Sequence, residues 1–132
     1  LFTGMESFGT PERRKMGRRN RATEFKGTAR EIIKARDGGC IFCKMGYKMP
    51  PEGTETFGLS NFQIMHFVPR SQGGLGIPEN GAVGCIYHHQ LLDNGANTRK
   101  EMLQLFEDYL KRSYPHWNKK KLIFRKGETY DF

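Results

Sequence analysis

Residues Phe62 to Gly95 read FQIMHFVPRSQGGLGIPENGAVGCIYHHQLLDNG, and their order decides the fold. Phe62 to Val68 has strand composition, with His66 inside it, and Pro69 ends the run because proline cannot donate to a sheet ladder. Arg70 to Gly81 is a loop carrying Gly73, Gly74 and Gly76, and Ala82 to Gly84 suits a short return strand. Ile86 to Asn94 has the length of a helix of about two and a half turns. Asn94-Gly95 then offers a C-cap.

The flanks supply a second pattern. Cys40-Ile-Phe-Cys43 lies upstream, directly after the Asp37-Gly38-Gly39 helix stop, and Cys85 is followed three residues on by His88. Two close pairs of sulfur and nitrogen ligands match the tetrahedral geometry that zinc takes in closed structural sites. Three cysteines are an odd number and a poor basis for a disulfide framework. The expectation is therefore a structural Zn²⁺ on Cys40, Cys43, Cys85 and His88. The plain alternative, three reduced core cysteines and a surface histidine, leaves the paired spacing to chance.

Together these motifs resemble the HNH endonuclease family, most specifically over Cys40–Cys43 and Gln63–Gly95 and more loosely from Arg30 to Phe124. The residues that carry the resemblance are His66, Asn80 and His89. It implies an α+β fold, a ββα-metal finger with flanking helices stapled by zinc. It also implies a DNA phosphodiesterase activity that needs a second, catalytic divalent ion such as Mg²⁺ or Mn²⁺. His66 would be the general base, a task suited to a side chain whose unperturbed pKa lies near neutrality. Asn80 would fix the loop, and His89 would bind the catalytic ion. Asp93, four residues on and on the same helix face, is a candidate co-ligand. Many members place Asp or His immediately before the strand histidine; this chain has Met65, a poor ligand for a hard cation.

The chain has 132 residues, 36% of them hydrophobic, which bounds it to one small domain with a thin core. Its formal net charge is +8, which favours an anionic partner, DNA foremost. Residues 1–27 read as a flexible basic arm, with Arg13, Arg14, Lys15, Arg18, Arg19 and Arg21 as phosphate contacts alongside Arg70; residues 28–132 read as the nuclease domain. Thr28-Ala-Arg-Glu31 and Thr98-Arg-Lys-Glu101 match capping boxes and predict helix starts. Behind the second, Met102, Leu105, Phe106, Tyr109 and Leu110 recur at helical spacing as core. Trp117 and Leu122 to Phe124 predict a short strand or extended tail. No apolar run reaches membrane-spanning length and no signal peptide is visible, so an intracellular, bacterial or phage setting is expected. A phage or mobile-element protein is a further expected partner by analogy. Two other classes remain open: a zinc-stapled DNA-binding module without catalysis, favoured by Met65, and a basic adaptor for an acidic protein.

Overall fold

A computed structural model describes residues 17–51 and 62–128. At its centre is an antiparallel hairpin, β1 (Phe62–His66) against β2 (Gly81–Cys85), in the register Phe62↔Cys85 through His66↔Gly81. Side chains alternate across a strand, so the hairpin presents two faces. Met65 and Ala82 face the main core, with Phe42, Phe67, Leu92, Met102, Phe106 and Leu110. Val83 faces a smaller cluster with Phe25 and Ile33, against which Phe62 and Ile64 pack. A Cβ on Gly84 would lie 2.4 Å from the Met65 Sδ, so the absence of a side chain there lets Met65 lie flat in the core, fully buried. Met65 is thus a packing residue.

Helix α1 (Arg18–Thr23) leads to Phe25, and α2 (Gly27–Asp37) packs Ile33 on the second face before Gly38 ends it in the left-handed conformation. The four-residue α3 (Ile41–Lys44) follows. Helix α4 (Ile86–Asn94) leaves β2 without a loop, and α5 (Ala96–Ser113) follows across Gly95. Met102, Phe106 and Leu110 form the inner stripe of α5, all fully buried, as their four-residue spacing requires. A 3₁₀ turn at Lys119–Leu122 buries Leu122, and Ile123 bridges to Gly74. The fold is a small α+β arrangement with a two-stranded sheet. Among the described residues no helix is long and apolar enough to cross a membrane.

Three expectations need correction. Residues 17–27 are not a free arm: Ala22, Thr23 and Phe25 are buried, and Gly76 N donates to Ala22 O at 2.8 Å. Arg13, Arg14 and Lys15 lie outside the described residues. Neither capping box is used, because Thr28 and Thr98 fall inside helices that begin at Gly27 and Ala96 without side-chain caps. Finally, β1 stops at His66 rather than Val68, because the backbone N–H groups of Phe67 and Val68 turn to Asn80 instead.

One buried node ties the helices to the hairpin. Asp37 is fully buried and accepts from Arg36 Nε at 2.6 Å, Arg36 Nη2 at 3.1 Å, Tyr109 Oη at 2.5 Å and Val83 N at 2.7 Å. Arg36 also donates to the carbonyls of Pro78 and Gly81. Burial and the Asp37 contact push the Tyr109 hydroxyl up to about 12. Removing one member of such a pair strands a buried charge, so Asp37→Ala should cost about 3–5 kcal/mol of stability in chemical denaturation. A loss under about 1 kcal/mol would remove this node from the account of the fold.

Candidate functional site

The two cysteine motifs converge. Cys40 is the N-cap of α3 and its Sγ accepts from Cys43 N at 3.4 Å; Cys85 is the N-cap of α4 and accepts from His88 N at 3.4 Å. These paired turns bring Cys40, Cys43, Cys85 and His88 together, with their ligand atoms all within 4.8 Å of one another. His88 Nδ1 lies 3.5 Å from Cys40 Sγ, 3.5 Å from Cys43 Sγ and 3.4 Å from Cys85 Sγ, and Cys43 and Cys85 Sγ are 3.8 Å apart. The cysteines are free thiols. His88 is fully buried, and its Nε2 lies 2.7 Å from the carbonyl of Tyr47. A carbonyl only accepts, so Nε2 carries the proton and Nδ1 presents its lone pair to the sulfurs. Burial and the neighbouring Cys40 and Cys85 push the Cys43 thiol well above its usual range. Without a cation such thiols stay protonated; an ion bound among them would hold the sulfurs as thiolates. The four residues are close enough to hold one metal ion.

Asn80 is fully buried at the far end of the loop from His66. Its Oδ1 accepts from Val68 N at 2.7 Å, while Nδ2 donates to Val68 O at 3.1 Å and Leu75 O at 2.8 Å. One side chain therefore closes the loop on itself. Gly74 makes that closure feasible, since a Cβ there would sit 1.7 Å from Val68 O and 3.0 Å from Asn80 Nδ2.

His66 ends β1 half-buried, its ring 4.2 Å from that of Phe25 and its Nε2 2.9 Å from Thr23 O. Burial first, then the charges of Arg70 and His89, hold its pKa below the ordinary imidazole value, against the opposing pull of the Thr23 carbonyl. His89 opens the exposed side of α4. Its Nδ1 lies 2.5 Å from Gln63 Oε1, and its Nε2 lies 3.5 Å from an Asp93 carboxylate oxygen. With Nδ1 donating to Gln63, Nε2 and the carboxylate offer two donor atoms to one side of the helix. Gln63 was missed by sequence reasoning; as an exposed strand residue it carries no motif. Among the described residues the Cys₃His set is the one group of three or more His, Cys, Asp or Glu side chains within reach of a single ion. His66 does not join His89 and Asp93 in such a group.

The arginines expected to meet phosphate are exposed but partly engaged. Arg70 donates to Thr23 Oγ1 at 3.3 Å and Asn20 O at 3.4 Å, and Arg19 Nη2 donates to Arg70 O at 2.8 Å and Ser71 O at 3.1 Å. Arg18 donates to Glu128 O. Arg21 lies exposed in the last turn of α1.

Comparison of the chain with protein-family models, curated proteins and solved structures found no match.

Proposed function

We propose that the chain is a zinc-stapled, metal-dependent endonuclease of the HNH type that hydrolyses DNA phosphodiester bonds. The zinc assignment is supported by simple geometry. A tetrahedral ion with Zn–S of about 2.3 Å and Zn–N of about 2.05 Å has S···S edges of about 3.8 Å and S···N edges of about 3.6 Å. The Cys43–Cys85 separation of 3.8 Å and the three sulfur-to-His88 separations of 3.4–3.5 Å are close to these edges, and all four ligand atoms lie within 4.8 Å of one another. Soft thiolates with one imidazole suit zinc over the hard cations.

The observation that carries the nuclease assignment is the hairpin-to-helix unit itself. His66 ends one strand, Asn80 locks the intervening loop, and the other strand runs straight into the helix that bears His89 and Asp93. In this mechanism the neutral His66 ring takes a proton from water, which attacks phosphorus in line with the leaving 3′ oxygen, giving 5′-phosphate and 3′-hydroxyl ends. Asn80 keeps the loop after His66 from moving during the attack. A divalent ion, Mg²⁺ or Mn²⁺, held by His89 and Asp93 would supply Lewis-acid stabilisation of the charge developing on the phosphate. One observation favours a DNA-binding module without catalysis instead: Met65 is sealed in the core, so β1 offers no ligand beside His66.

Two measurements decide these points. Elemental analysis should find one zinc per folded chain, and its removal by chelator should lower the melting temperature by about 10 °C or more. A folded, zinc-free protein with the same melting temperature would eliminate the staple. In a supercoiled-plasmid assay with Mg²⁺, Mn²⁺, Ni²⁺ or Zn²⁺, the wild type should nick DNA and His66→Ala should be slower by roughly 10²–10⁴-fold. The rate should rise with pH as His66 loses its proton and level off below the ordinary histidine value, since its pKa is lowered in the fold. A protein that binds DNA but cleaves with no ion would leave the binding module standing.

A further inference from the structure

We infer that helix α1 is a working part of the catalytic site, its last carbonyl holding His66 in the tautomer that leaves Nδ1 free to act as the base. This rests on the nuclease assignment and assigns roles to Thr23 and Arg19 within it. The Thr23 carbonyl, 2.9 Å from His66 Nε2, can only accept, so in the neutral ring Nε2 bears the hydrogen and Nδ1 the lone pair. Among the described residues Nδ1 has no hydrogen-bond partner, and no buried side-chain nitrogen or oxygen is left unpaired. Nδ1 is therefore not sealed off by the described residues, and a water can meet it. Phe25 holds the ring from its face at 4.2 Å and is itself seated over Gly81, the residue opposite His66 in the hairpin.

A six-residue helix has no stability of its own and depends on docking. Here the docking is to the loop that Asn80 locks. Gly76 N donates to Ala22 O, Arg70 Nε to Thr23 Oγ1, and Arg19 Nη2 to the carbonyls of Arg70 and Ser71. A line of contacts thus runs from Asn80 through the loop to α1 and back to the ring of His66. Arg19 and Thr23 are positioning residues; neither touches the reacting atoms.

The test uses the full chain. Long-range ¹⁵N–¹H correlation of the imidazoles should show His66 protonated at Nε2. Thr23→Val, which removes the hydroxyl that Arg70 holds, should lower kcat roughly tenfold to hundredfold at an unchanged KM, and Thr23→Ser should restore it. Arg19→Ala, at an exposed position, should show the same loss in kcat at an unchanged global melting temperature. An Nδ1-protonated His66, or Arg19→Ala cleaving at the wild-type kcat, would overturn the inference while nuclease activity stands. A loss confined to KM would overturn it too, returning Arg19 to phosphate binding. A wild type that cleaves with no ion would remove the nuclease assignment and this role together.

Discussion

The rest of the structure depends on the meeting of four ligand atoms from two distant turns. Cys40 and Cys43 arrive on α3, Cys85 and His88 on the junction of β2 and α4, and no sulfur–sulfur bond joins them. A chain this short, with 36% hydrophobic residues, has little core to spare. The cluster sits within the main core, beside fully buried Phe42, whose ring packs against His88 and Phe106. An ion held there would do more than add stability: it would fix the direction in which α4 leaves the sheet, and with it everything α4 carries.

That direction separates two adjacent histidines. Neighbouring helical residues point about 100° apart, so when His88 turns inward to the sulfurs, His89 is left facing outward over Gln63 and Asp93. The other half of the candidate site is set by different means. His66 is placed by the hairpin register, by the loop closed on Asn80 and by the docked α1. One metal-ligand set and one hydrogen-bonded loop thus orient the two candidate functional histidines independently.

Much of this was legible in the sequence because it rests on local spacing. The paired cysteine motifs, the hairpin, the bounds of α4 and the buried stripe of α5 all follow from short-range pattern. What stayed hidden depends on contacts between distant residues. Ala22, Thr23 and Phe25 are buried residues scattered among charges, so composition disguised α1 as part of an arm. Thr28 fits a capping box, but burial of Phe25 anchors the chain just before Gly27 and starts the helix there. Asp37 reads as a helix terminator, while its role comes from Tyr109, 72 residues away. The contact from Thr23 to His66 is made by a backbone carbonyl and leaves no trace in residue identity.

The claim on which the others rest is the Cys₃His ion, and X-ray absorption at the zinc edge of the purified protein tests it most directly. The account predicts three sulfur scatterers at about 2.3 Å and one nitrogen at about 2.0–2.1 Å. A first shell of oxygen and nitrogen only, or a folded protein with no zinc edge, would contradict it.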